Sequence, residues 1–195
     1  MSPAEQIAHH QHEVFSASRA AHLDTPLRRI LYRPDRLAER FVKPGDTVLD
    51  FGCGPGFFTR EFAKRVGEQG RVYAVDLQDE MLGIVRGKME SGRLQSRVVT
   101  HQCRSESINL PDHLAGTFDA VFTIFVVHEV PDPEKLFSEI NVLLKPGGIL
   151  FFSEPPILVS GSEFRGKIAL LEKMGFELVG RSLFFVNRAA VLKKK

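Results

Sequence analysis

The stretch TVLDFGCGPGFFT, Thr47–Thr59, decides how the rest of the chain is read. Thr47–Phe51 is β-branched and apolar enough for a buried strand, and the glycines at 52, 54 and 56 break it with a turn. Beyond the turn, Phe58, Phe62 and Val66 recur at helical spacing, so strand, glycine turn and helix follow one another, the helix read over Phe57–Val66. Glycines in such a turn let the backbone curl tightly and approach a ligand with no Cβ in the way. The spacing is not that of a dinucleotide site, because G-x-G-x-x-G would need glycine at position 57, where Phe57 stands. No Lys-Ser/Thr pair follows for a triphosphate either. Asp50, just upstream, repels a pyrophosphate and favours a ligand that carries an ammonium group.

Working outward, RVYAVD (Arg71–Asp76) is a second strand that ends in an acid, 20 residues beyond Gly56. From there a carboxylate reaches both hydroxyls of a ribose. Helical spacing over Asp79–Lys88, with Asp79 as cap, is followed by short strands at Val98–Gln102 and Phe118–Ile124. Pro133 opens a helix through Leu143 that Lys145-Pro146-Gly147-Gly148 stops, and a strand follows at Ile149–Ser153. A helix from about Ser162 to Met174, closed by Gly175, leads to a terminal hairpin. It pairs Phe176–Ser182 with Ala189–Leu192 about a turn near Asn187 and Arg188. This alternation is the signature of an α/β sheet with parallel strands. Residues 1–45 differ: the helical pieces Ile7–Ala20, Leu27–Leu31 and Arg36–Val42 read as an N-terminal cap on a main domain at 46–195.

Composition bounds the function. A chain of 195 residues that is 43% hydrophobic suits one domain with one sizeable core. Lys+Arg 26 against Asp+Glu 24 leaves a net charge of +2, so no broad positive field points to nucleic acid or an anionic membrane. The longest apolar run, Ala120–Val127, is interrupted by Thr123 and falls far short of the ~20 residues of a membrane span. His9, His10, His12 and Glu13 occupy the place of a signal-peptide core, and two cysteines, Cys53 and Cys103, fit a reducing compartment, so a cytoplasmic protein is expected. The histidines at 9, 10, 12 and 22 have no Cys or carboxylate cluster at ligand spacing and read as a solvated helix, so no metal site is expected.

VLDFGCGPGFFT (Val48–Thr59), VYAVDLQDEML (Val72–Leu82), Phe118–Pro155 with its HEVPDPEKLFSEINVLLKPGG core, and the terminal FELVGRS together resemble the class I S-adenosylmethionine-dependent methyltransferases. They are most similar to the small-molecule branch that includes the ubiquinone/menaquinone methyltransferases. The resemblance implies a Rossmann-like, mostly parallel seven-stranded sheet ordered 3-2-1-4-5-7-6, its last strand antiparallel, with helices on both faces. It implies S-adenosylmethionine as cofactor, S-adenosylhomocysteine as product, and in-line methyl transfer to a small-molecule acceptor. Asp50, Gly52, Cys53, Gly54 and Gly56 would then line the methionine moiety, and Asp76 with Leu77 the ribose and adenine. Thr123 would lie at the edge that holds the sulfonium. After the third strand no acid stands in the slot expected for the adenine amino group; Glu106 after a local shift, or a backbone carbonyl, would take its place. His128, in the loop after the fourth strand, is the candidate catalytic base.

Rival readings are a non-catalytic S-adenosylmethionine-binding or regulatory module, and an RNA or protein methyltransferase. Against RNA stands Thr123-Ile124-Phe125, where base-modifying enzymes carry an Asn/Asp-Pro-Pro-aromatic run. Because little chain lies between Pro155 and Ser162, either the N-terminal segment covers the acceptor or the site stays open toward a larger partner.

Overall fold

A computed structural model of the chain describes residues 25–195. The strand read from the glycine-turn stretch is β1, Thr47–Phe51, and its last four residues are buried. It lies between β2 (Arg71–Asp76) and β4 (Phe118–Ile124), parallel to both. With β3 (Val98–Gln102), β5 (Leu144–Glu154), β6 (Phe176–Phe184) and β7 (Asn187–Lys194) it forms one seven-stranded sheet ordered β3-β2-β1-β4-β5-β7-β6. β7 runs antiparallel to β5 and β6, as the family resemblance implies.

Side chains alternate across β1, so Val48 packs into one core layer and Leu49 into the other. Val48 shares its layer with Leu37 of α2 (Pro34–Phe41), Phe62 of α3 (Thr59–Val66) and Val85 of α4 (Asp79–Ser91). Leu49 shares the other layer with Phe137 and Ile140 of α5 (Pro133–Leu143) and Ile168 of α6 (Gly161–Lys173). Each such fully buried side chain contributes about 1.5–3 kcal/mol, and helices on both faces explain why the inner strands read as continuous apolar runs. The order reverses between β1 and β4, which leaves a crevice outside the carboxyl ends of β1, β2 and β4.

The strands at 47–51, 71–76, 98–102 and 118–124 have the expected bounds. Elsewhere the structure corrects the reading. α3 starts at Thr59, because Phe57 and Phe58 complete the glycine turn. Asp79 does not cap α4; Gln78 is the N-cap residue, with no side-chain cap, and its N–H goes to Asp76. α6 is fixed by a capping box between Ser160 and Glu163. The hairpin turn sits at Phe185-Val186, where Phe185 takes φ 59°, and both strands run longer than expected.

The expected helix over Ile7–Ala20, and the histidines at 9, 10, 12 and 22, lie outside the described residues. Of the N-terminal segment the structure describes α1, Pro26–Tyr32, capped by Thr25, and α2. Leu37 and Ala38 are buried in the layer that holds Val48, so α2 is part of the domain's packing. Leu37→Ala is therefore expected to cost about 2–5 kcal/mol in chemical unfolding, the range for emptying a buried leucine site. A loss below about 0.5 kcal/mol, the scale of surface substitutions, would show α2 to be a dispensable appendage.

Candidate active site

At the end of β1 the chain turns over the tip of β2. The amides of Gly52 and Cys53 both donate to the Val75 carbonyl, at 2.8 and 3.0 Å. The Gly54 amide donates to Asp76 Oδ2 at 2.8 Å, while Asp76 Oδ1 accepts from the Gln78 amide at 3.0 Å. One carboxylate thus ties the glycine turn to the start of α4. Burial pushes the Asp76 carboxyl above its ordinary pKa, and the hydrogen bonds from Gln78 and Gly54 act against that rise. The Leu77 backbone acts in the same direction, and because a carboxylate has about four acceptor positions, capacity remains for a ligand hydroxyl.

The three glycines serve different needs, though all take positive φ. A Cβ on Gly52 would stand 2.3 Å from Val126 Cγ2, so this position is small because the segment after β4 presses on it. A Cβ on Gly56 would come within 3.1 Å of Val85 on α4. On Gly54 it would meet nothing within 4 Å, although this residue lies on the wall of a cavity. The space beside Gly54 is open for a ligand, which suits a group held against the turn's backbone.

That cavity, about 510 Å³, falls within the ~300–1,000 Å³ typical of small-molecule sites and occupies the crevice at the carboxyl edge. One side is formed by the glycine turn, Asp76, Leu77 and Gln78, with Cys103, Arg104 and Ser105 after β3. The other is aromatic and apolar: Tyr32 from α1, Phe57, Phe125 and Leu158. Tyr32 packs edge-on to Phe57 and Phe125, with centroids at 6.5 and 5.6 Å, and the Arg28 guanidinium covers the Tyr32 ring at 5.2 Å. Phe125 takes φ 62°, a costly conformation for a bulky residue, held by its amide bonding to the Ser153 carbonyl at 2.9 Å. This bend delivers Val126 onto Gly52 and brings His128 to the cavity wall.

His128 Nδ1 lies 2.6 Å from Oε2 of Glu154, the last residue of β5, whose side chain is wholly buried. On the other side of the ring, Nε2 is 3.9 Å from Glu129 Oε1.

Of the residues singled out from sequence, Gly52, Cys53, Gly54, Asp76, Leu77 and His128 share this wall. Asp50, Gly56, Thr123 and Glu106 do not lie on it. Asp50 is buried behind the turn and accepts from Thr59 Oγ1 at 2.6 Å. Thr123 is fully buried, its hydroxyl 3.4 Å from the Phe151 carbonyl, and Glu106 is exposed beside Ser105. Burial holds the Cys53 thiol well above the usual thiol range and the Cys103 thiol at about 11, so neither is a thiolate near neutral pH. Tyr32 and Glu154 escaped the sequence reading. Glu154 had a signal, since it ends a strand with an acid as Asp76 does.

The comparisons with known proteins agree with this geometry. Residues 49–152 match the family described as "Methyltransferase domain". The ubiquinone/menaquinone biosynthesis C-methyltransferase UbiE of Enterobacter sp. (strain 638) is 34% identical over 163 residues, which are 79% of this chain and 62% of the relative. The protein of the same name from Hydrogenovibrio crunogenus is 34% identical over 139 residues, 69% of this chain and 53% of that one. The chain thus spans less than two thirds of the length of these relatives. A crystal structure of a SAM-dependent methyltransferase from Aquifex aeolicus superposes with a TM-score of 0.80 at 30% identity, covering 92% of this chain and 98% of that one. The chain belongs to the methyltransferase-domain family, and it is a class I enzyme that uses S-adenosylmethionine. Among the described residues no helix is long and apolar enough to cross a membrane.

Two variants separate the roles of the glycines. Gly54→Ala is expected to cost about 1–2 kcal/mol of stability for its backbone angle yet to lower S-adenosylmethionine affinity at least ~10-fold in calorimetry. Gly52→Ala, which drives a methyl into Val126, is expected to lower the melting temperature more than Gly54→Ala does. The reverse order of stability would refute the packing assigned to the turn.

Burial also lifts the Asp50 carboxyl in the folded chain from its ordinary 3.8 to about 7. Between those values the folded protein holds a proton that the unfolded chain has released, so this group's contribution to stability falls as pH rises through that window. Asp50→Asn is neutral at every pH. Relative to the parent it should gain more melting temperature at pH 8 than at pH 4; an equal offset at both would contradict a protonated Asp50.

Proposed function

We propose that the enzyme methylates a small apolar acceptor bearing an aromatic ring, with cofactor and acceptor sharing the cavity at the carboxyl edge. The observation that carries this reading is the cavity's division into a polar half built on Gly54 and Asp76 and an aromatic half built on Tyr32, Phe57 and Phe125. When bound, S-adenosylmethionine supplies a methyl group made electrophilic by its sulfonium.

In this reading Asp76 accepts from the ribose with its remaining capacity, and Leu77 lies against the adenine. Backbone of residues 52–54 contacts the methionine portion, where the absence of side-chain bulk at Gly54 allows close approach. Asp50 and Thr123 act from behind this surface, by fixing the turn and the end of β4. With Glu106 off the cavity wall, Cys103, Arg104 and Ser105 are the residues that meet the adenine edge. The aromatic rings orient the acceptor for in-line attack and keep water out. Such positioning is worth about 7–11 kcal/mol of barrier in well-oriented intramolecular reactions.

The rim supports an apolar acceptor. Leu27 and Ile30 on α1, Ile157 and Leu158 after β5, and Leu183 and Val186 at the hairpin tip are all exposed, on segments that also send Arg28, Tyr32, Leu158 and Asn187 to the cavity. Carbon as the methylated atom is supported by the relatives, whose name is that of C-methyltransferases.

Asp76→Asn tests the polar half. Loss of the ionised acceptor should weaken both S-adenosylmethionine and S-adenosylhomocysteine by about 1.5–3 kcal/mol in calorimetry, or ~10- to 100-fold. Affinities equal to those of the parent would remove the ribose from Asp76.

A further inference from the structure

Glu154 is a fully buried acid that ends β5, and neither the turn nor the sheet needs its charge. It terminates β5, in register with Arg188 of β7, yet Arg188 gives its Nη1 hydrogen to the Val159 carbonyl at 2.8 Å. Glu154 Oε2 instead meets His128 Nδ1 at 2.6 Å, and Oε1 is buried with no hydrogen-bond partner among the described residues. Burying a carboxylate costs several kcal/mol unless a partner compensates. An apolar residue would fill this strand end at no such cost, so the acid marks a task for the imidazole it holds.

We infer that Glu154 is a positioning residue that makes His128 a general base, and that the acceptor is one that surrenders a proton as it is methylated. The inference rests on the proposed acceptor side of the cavity. A carboxylate against Nδ1 fixes the proton on that nitrogen and leaves the lone pair on Nε2, the atom that takes up a proton. The acceptor's electron pair forms the new bond to the methyl carbon. The methyl–sulfur bond breaks with its pair left on sulfur, and the acceptor's proton passes to Nε2. The Glu154 carboxylate then faces the imidazolium so formed, as the buried acid does in a Ser-His-Asp triad. An acceptor with no proton to lose would have no use for such a pair.

Other charged groups among the described residues stand near the ring. Glu129 shares its turn, with Oε1 3.9 Å from Nε2; Arg188 lies on β7 beside Glu154; Arg28, Asp76 and Arg104 stand on the same cavity wall. Among them Glu154 alone lies within hydrogen-bond distance of Nδ1.

The test uses the whole chain saturated with S-adenosylhomocysteine. Calorimetry of that binding first checks the cofactor reading by itself: no binding sinks that reading and says nothing against the dyad. Nitrogen-15 NMR of the histidine rings then reads the dyad without turnover. His128 is expected as the Nδ1–H tautomer, and Glu154→Gln should let the Nε2–H tautomer appear, because the carboxylate that held the proton on Nδ1 is gone. An Nε2–H tautomer in the parent overturns the proposal, and that measurement stands even if the variant does not fold. In turnover, with 1,4-dihydroxynaphthalene and catechol as probes and S-adenosylhomocysteine release as readout, Glu154→Gln should lower kcat about 100-fold at pH 7. KM and S-adenosylhomocysteine affinity should stay within twofold, the acid limb of the rate profile should move to lower pH, and Glu154→Asp should recover part of the rate. An unchanged kcat and pH profile in Glu154→Gln overturns it.

Discussion

The Asp76 carboxylate is the constraint on which the site rests. Its two oxygens are shared between the Gly54 amide and the Gln78 amide, so one group joins the turn after β1 to the helix after β2. Bonds to a charged acceptor are worth about 1.5–3 kcal/mol, more than bonds between neutral partners. The clamp costs burial of a carboxylate, which accounts for the upward push on its pKa. In return it holds an open, backbone-lined surface at Gly54 against the ligand side of the crevice. A fold that needed only a tight turn would have no reason to leave that space beside an acid.

Around this clamp the sheet supplies two more strand ends. β4 ends in the left-handed bend at Phe125, which sends Val126 against Gly52 and carries His128 round to the wall. β5 ends in Glu154, beneath His128. In the proposed reading the cofactor side and the acceptor side are therefore not separate modules: Val126 presses on the turn assigned to one, and His128, two residues on, is assigned to the other. A strained residue at this junction fits the general pattern in which backbone strain is retained where function needs a side chain re-aimed.

Much of this was legible from residues 47–59 and 71–76, because buried parallel strands leave apolar runs and a glycine turn leaves its spacing. Clues carried by tertiary approach were not. Nothing local distinguishes Gly52, excluded from bearing a side chain by Val126, from Gly54, left bare toward open space. The capping role read for Asp79 is not filled: Asp79 is already the first helical residue, and Gln78 before it makes no side-chain cap. The boundary of the hairpin was misplaced because Phe185 and Val186 look like strand residues and supply the turn only through an unfavourable φ at Phe185. Asp50 reads as a ligand residue in any linear view, yet its bond to Thr59 places it behind the turn.

Hydrogen–deuterium exchange with and without S-adenosylhomocysteine tests the central claim most directly, because it reports the amides of the clamp themselves. Ligand should slow exchange in peptides spanning 51–58, 76–79 and 103–105, with smaller changes in α5 and α6 on the far face of the sheet. Binding with no protection at 51–58 and 76–79, or with protection confined to another region, would contradict the account.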